Sequence, residues 1–168
     1  MSETKGTTVC FTGHRPQTLT FLWDEHSPDS KNLREVLKET IIELIENNDA
    51  KHFISGMALG VDMMCAEIIL ELKEKYPFIT LECALPCETQ ATKWRINSQE
   101  KYYNILKDCD KTTLLQTRYT SDCMMKRNKY MVDNSDILVA VWNGSNSGTG
   151  NTVNYARKNN KIIKRIAC

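Results

Sequence analysis

The sequence predicts an α/β fold of the Rossmann-like, doubly wound kind, a mostly parallel sheet with helices on both faces. Two observations carry this. Short apolar runs rich in β-branched residues alternate with longer stretches of helical periodicity along almost the whole chain. Most glycine- and proline-bearing turns fall just after an apolar run, where a strand would hand over to a helix. Strand then helix, repeated, implies parallel pairing through right-handed crossovers.

The elements follow in order. Thr8-Val9-Cys10-Phe11-Thr12 reads as a first strand, ended by the turn Gly13-His14-Arg15-Pro16, because proline disfavours helix in the residue before it. Residues 17–30 read as a polar loop with scattered aromatics. Residues 31–47 place Leu33, Val36, Leu37, Ile41, Leu44 and Ile45 at helix-face spacing. Lys51 to Ser55 is a second strand and 61–75 a second helix, with Pro77 closing it. Residues 78–85 form a third strand, broken by Pro86. A helix over 97–108 follows, preceded by a shorter one over 88–94. Residues 112–116, a helix over 121–133, and the apolar strand 136–142 come next. The last strand of these is apolar enough to be covered on both faces. A glycine-rich loop, a helix over 149–159 and a closing strand over 161–167 complete the pattern.

A length of 168 residues suits one domain, here taken as residues 1–168. There are 22 basic and 21 acidic residues, a formal net charge of +1. That balance argues against a protein held to nucleic acid by bulk charge, so a nucleic-acid partner is not expected. Seven cysteines, an odd number without a Cys-x-x-Cys pair, read as reduced thiols of a cytoplasmic protein rather than a disulfide frame. A zinc site at Cys83 and Cys87 with a histidine is the sharper alternative, but a second ligand pair is missing. No segment has the length and apolarity of a membrane span, and the opening "MSETKG" lacks the apolar core of a signal peptide. No cofactor or metal is called for.

The chemistry-bearing residues gather after strands, which in this architecture share one rim. "ISGMALGVD" places Ser55, Gly56 and Gly60 before a helix whose first turn holds Asp62. Glycine permits close backbone approach, and free N–H groups at a helix start attract phosphate or carboxylate. A plain strand-to-helix turn capped by Asp62 is the equal alternative. "NGSNSGTGNT" repeats the logic with Gly148, Thr149 and Gly150, against the alternative of a flexible surface loop. Arg15 offers a bidentate anion contact. His14 offers a hydrogen bond or proton transfer, although a lone histidine is more often structural. Trp94 and Trp142 flank the rim, where an indole can stack on a base or simply fill the core. Periodicity alone makes Arg127 a solvated arginine.

The ordered set "TGHRP", "SGMALGVD" with Ala66-Glu67, Pro86…Gln90…Trp94…Tyr103, and "SD…WNGSNSGTGNT" resembles the SLOG superfamily, which unites the DNA-processing protein A and lonely-guy families, in its YpsA/YoqJ-type branch. The resemblance implies a Rossmann-like fold and a pocket for a nucleotide or an NAD- or ADP-ribose-derived molecule. The site it implies comprises Gly13, His14, Arg15, Ser55, Gly56, Gly60, Asp62, Glu67, Gln90, Trp94, Arg127, Gly148, Thr149 and Gly150. The lonely-guy enzymes cleave N-glycosidic bonds, and Arg127, Met131 and Asp136 keep the spacing of their signature. Thr152 stands where those enzymes carry a catalytic glutamate, which weakens an N-glycoside or phosphate-ester hydrolase reading. The DNA-processing relatives carry a turn much like Ser55 to Asp62 and bind single-stranded DNA with additional basic surface, and the neutral charge balance here weakens that transfer. Related folds often form homodimers through helices. The expectation is therefore a cytoplasmic binding protein that senses, sequesters or presents a nucleotide-derived ligand.

Overall fold

The structure, a computed structural model, describes residues 6–168. The polar opening residues that bear on targeting lie outside it. Among the described residues, six strands form one parallel sheet in the order β4-β3-β2-β1-β5-β6. They are β1 (Thr7–Gly13), β2 (Ala50–Ser55), β3 (Thr80–Leu85), β4 (Lys111–Leu114), β5 (Ile137–Val141) and β6 (Ile162–Ile166). The helices are α1 (Pro28–Asn47), α2 (Val61–Leu72), α3 (Ile96–Asp108), α4 (Cys123–Asp133) and α5 (Gly148–Lys158), with a 3-10 turn over Thr20–Trp23.

The chain starts in the middle of the sheet, steps outward to β4, then returns to lay β5 on the other side of β1. Alternation along each strand sorts the two faces. Phe11, Phe53, Leu81 and Val139 pack with Leu37 and Ile41 of α1, Ile68 of α2 and Ile105 of α3. Their strand neighbours Cys10, Ile54, Ala84 and Leu138 pack with Met131 of α4 and Val153 and Ala156 of α5. This is the doubly wound arrangement, and β5 is buried throughout.

The differences from sequence expectation are local. α1 begins three residues early because Ser27 caps it, accepting from the Ser30 N–H at 3.2 Å, with Pro28 in the first turn. That signature was present, but the apolar periodicity starts only at Leu33. No helix forms over 88–94; two successive turns close instead, Thr92 N–H to Thr89 O and Trp94 N–H to Ala91 O. The Gln99 side-chain amide donates to the Ala91 and Thr92 carbonyls, at 3.0 Å each, which satisfies them without helix. All seven cysteines are free thiols. Burial pushes the Cys10 thiol up to about 12. Among the described residues no three metal-binding side chains are placed to hold an ion, and no helix is long and apolar enough to cross a membrane.

Glu82 sits inside an otherwise apolar strand and is buried. It faces the open flank beside α4, where His52 Nε2 at 2.8 Å, Thr113 Oγ1 at 2.8 Å and Tyr130 Oη at 2.6 Å converge on its carboxylate. Burial alone would raise its pKa; the bonds from His52, Tyr130 and Thr113 together outweigh that and hold it at about 2. The depressed value means this stability is complete above the ordinary carboxylate range and is lost as pH falls toward 2. Glu82→Gln should therefore lower stability at neutral pH and flatten the acid limb by on the order of 3 kcal/mol. Urea unfolding of both proteins between neutral and strongly acidic pH measures the difference, and parallel pH profiles would refute the assignment.

Candidate functional site

The order of the strands reverses between β1 and β5, so the loops after them leave in opposite directions and open a crevice at the carboxyl edge. The base of that crevice is stitched shut. The His14 N–H donates to Val141 O at 3.3 Å, and its ring Nε2 accepts from the Asn143 N–H at 3.1 Å. His14 is buried and its Nε2 lone pair is engaged, so it acts here as a brace between the two strand ends. Gly13 is needed for close packing: a Cβ there would lie 2.5 Å from the Cβ of Val61 at the start of α2. Arg15 points to solvent and makes no ion pair or side-chain hydrogen bond among the described residues. Its charge is nonetheless felt at Asp62 and Arg127.

The turn after β2 folds back on α2. The Ser55 hydroxyl donates to Asp62 O at 2.8 Å and accepts from the Met57 N–H at 3.2 Å. Asp62 Oδ2 accepts from the Ala58 N–H at 3.4 Å. Met57 (φ 59°) and Gly60 (φ 92°) take the left-handed region to close the turn, the latter at far lower steric cost. Asp62 does not cap α2; Gly60 occupies that position, and the Asp62 carboxylate is turned inward. Burial raises its pKa, opposed by Arg127, the Ala58 N–H and Arg15.

Arg127 overturns its sequence reading as a solvated arginine. It is only 2% exposed and reaches from α4 to the turn after β2. Its Nη1 donates to Gly56 O and, at 3.3 Å, to Gln90 Oε1; its Nε donates to Asn128 Oδ1 at 2.9 Å. Gln90 Nε2 also donates to Gly56 O at 3.3 Å. Arg127 Nη2 meets only the Met124 thioether, at 3.8 Å, so that edge of a buried cation has no oxygen acceptor among the described residues. Burial lowers the Arg127 pKa, and the Asp62 charge opposes this. Gly56 is small because Arg127 is there: a Cβ would sit 2.8 Å from the guanidinium carbon.

The turn after β5 folds on itself through its own hydrogen bonds. Trp142 Nε1 donates to Ser145 O at 2.9 Å, and the Ser145 N–H to Asn143 Oδ1 at 3.0 Å. Ser147 caps α5 by accepting from the Gly150 N–H at 3.1 Å. Gly150 has no room for a side chain, since a Cβ would lie 2.6 Å from Ser145 O, whereas Gly148 faces open space. The Gly148 and Thr149 N–H groups have no partner among the described residues. Thr152 is fully buried with its hydroxyl spent on Gly148 O at 3.0 Å. Met131 is a core residue, and Asp136 Oδ2 accepts from the Thr8 N–H at 2.9 Å, tying β1 to β5.

Not all of the expected site residues meet in the crevice. Trp94 packs edge-on against Tyr102, ring centroids 5.3 Å apart, on the α1–α3 side. Glu67 lies further along α2, 3.5 Å from Lys101, and with Gly60 lines a separate cavity of about 590 Å³. Trp142, expected to stack or to fill, is mostly buried beneath the Arg165 guanidinium, 4.8 Å above its ring. Asn143, beside His14, lies in the stretch "NGSNSGTGNT" but nothing singles it out within it, and Met124, beside Arg127, carried no signal in the sequence. Ser147 did: a serine directly before a small-residue helix start is a capping pattern.

Known proteins resemble this chain in sequence and in fold. The YpsA family model, described as the YspA SLOG family, matches residues 9–167. The SPbeta prophage-derived protein YoqJ of Bacillus subtilis (strain 168) is 33% identical over 144 residues, covering 79% of this chain and 84% of its own. A UPF0398 protein of Brevibacillus brevis is 31% identical over 130 residues, 76% of this chain and 69% of its own. Among solved structures, DNA processing protein A from Helicobacter pylori, studied for its single-stranded DNA binding mode, superposes with a TM-score of 0.61 at 21% identity. That match covers 94% of this chain and 63% of the other, and at this identity it is a likeness of fold.

If Gly56 is small to admit Arg127, the two positions must be coupled. Gly56→Ala should cost about 2 kcal/mol or more in the parent and much less in an Arg127→Met background. A double-mutant cycle by chemical denaturation measures this, and equal costs in both backgrounds would contradict it.

Proposed function

The chain belongs to the YspA SLOG family, and from that premise we propose that it is a binding protein for a phosphate-bearing, nucleotide-derived small molecule at the β1/β5 crevice. One observation carries the reading. The unpaired Arg15, the free Nη2 edge of buried Arg127, and the unpartnered Gly148 and Thr149 N–H groups at the start of α5 are all donors without acceptors, at one edge of one sheet. Such an edge is suited to an anion with several oxygens. NAD- or ADP-ribose-like molecules, which carry two phosphates, are the ligand class we assign to it. The protein would sense, sequester or present that ligand in the cytoplasm.

Binding without turnover is the favoured form of this proposal. An N-glycoside or phosphate-ester hydrolase needs a positioned acid or base. Thr152 offers a hydroxyl already donated to Gly148 O, and the Asp62 carboxylate faces inward to the Ala58 N–H. A second reading, a single-stranded nucleic-acid module, has one point in its favour: the fold likeness to DNA processing protein A, which bears against the expectation drawn from charge balance. It predicts affinity that falls steeply with salt.

Thermal stability should rise in the presence of AMP, ADP-ribose, cyclic ADP-ribose or NAD, by about 2.7 kcal/mol at a hundredfold excess over the dissociation constant. Chromatography should recover the ligand intact. Arg15→Gln should melt as the parent does and bind roughly tenfold more weakly, the loss of one charge-assisted contact. Product formation would replace binding with hydrolysis. Salt-sensitive binding of an oligonucleotide with no response to any nucleotide would replace it with the nucleic-acid reading.

A further inference from the structure

The cavity on the α1–α3 side is outside the crevice and is left unexplained by the proposal above. Its volume is about 590 Å³, within the range of small-molecule sites. The floor is apolar and adaptable, made by Leu59, Met63 and Met64. A strap of residues between β1 and α1 forms the outer wall. It is anchored to α1 by the Ser30 hydroxyl, which donates to Phe21 O at 2.8 Å. It reaches α3 through Lys101 Nζ to Glu25 Oε2 at 2.8 Å, and through Trp23, whose ring lies 4.5 Å from the Arg95 guanidinium carbon.

The charges in this cavity are unequal in their needs. Lys101 answers both Glu25 and Glu67, and Arg34 answers Glu71. Arg95 is exposed and has no carboxylate partner and no hydrogen-bond acceptor for its side chain among the described residues; its guanidinium lies against the Trp23 ring. It is also the N-cap residue of α3, with no side-chain cap and no acidic residue in the first turn. A cation at the positive end of a helix is electrostatically misplaced. The Trp23 ring compensates this only in part, and a local placement that the fold compensates only in part points to function. An anion held at Arg95, with its body on the methionine floor and against Trp23, supplies the compensation.

We propose that this cavity is a second ligand site, for a small molecule with a flat apolar body and a terminal carboxylate or phosphate, bound by Arg95 and Trp23 under the strap. The proposal is independent of the crevice reading, since Arg15, Arg127 and the start of α5 take no part in it.

Anilinonaphthalene sulfonate, a flat apolar anion that fluoresces when bound, is the probe. Titration into the intact chain should saturate at one probe per chain. Arg95→Gln, at an exposed position, should weaken binding about tenfold while melting as the parent does, and Trp23→Ala should weaken it likewise. Arg15→Gln should leave it unchanged. Displacement by indole acetate but not AMP would identify the carboxylate form of the ligand, and the reverse pattern the phosphate form. Non-saturating fluorescence, or an Arg95→Gln protein of unchanged affinity, would overturn the proposal. Loss of binding in Arg15→Gln alone would place the probe in the crevice, overturning this site while leaving the crevice reading standing.

Discussion

The guanidinium of Arg127 is the contact on which the organisation of the carboxyl edge depends. It originates on α4, on one face of the sheet, and ends on the carbonyl of Gly56 in the turn after β2, with Gln90 from the segment after β3 closing on the same carbonyl. Three connections are thereby held by one buried cation. Taking a charge out of water costs several kcal/mol even after relaxation, so the group must be answered from within. The answer is partial: two amide oxygens, the Gly56 carbonyl, and the Asp62 charge without a direct salt bridge. A cation so enclosed, with one edge left to a thioether, is a poor solution for stability alone.

The same constraint explains features that otherwise look unrelated. Gly56 has no side chain because the guanidinium occupies its space. Met57 accepts a left-handed backbone because the turn must present the Gly56 carbonyl inward and still return to α2. Asp62 is drawn inside, although burial raises its pKa, because positive charge stands nearby. On the other side of the crevice the chain solves a simpler problem, bracing β1 against β5 through His14 and folding the turn after β5 on its own carbonyls. The polar groups left without acceptors at this edge, among the described residues, are backbone N–H groups and arginine side chains.

Topology divides the polar residues after the strands into two regions. α1, α2 and α3 share one face, so the starts of α2 and α3 and the strap after β1 enclose a cavity on that side. α4 and α5 share the other, so Arg127 and the start of α5 belong to the crevice. Gly60 faces the first region where the turn reverses at its positive-φ backbone, and Glu67 does so because five residues of helix carry it about 140° around α2 from Asp62. A linear motif cannot express that division.

The sequence by itself determined the fold class, because alternation of apolar runs and helical periods is a one-dimensional record of which faces are buried, and short connections leave few topologies. It also located the turns that follow the strands, because glycine, proline and small hydroxyl residues mark turns through local backbone energetics. It misread Arg127, whose helical position looks solvated until the turn after β2 is laid over it, and gave no sign of Glu82, whose charge survives burial only because His52, Thr113 and Tyr130 come from three other elements. It placed a helix over 88–94, where a side chain from α3 takes the carbonyls instead. Burial of charge, pKa and the partition of a rim into separate regions are sums over neighbours distant in the chain. Only the tertiary structure decides them, because only there are those neighbours brought within reach.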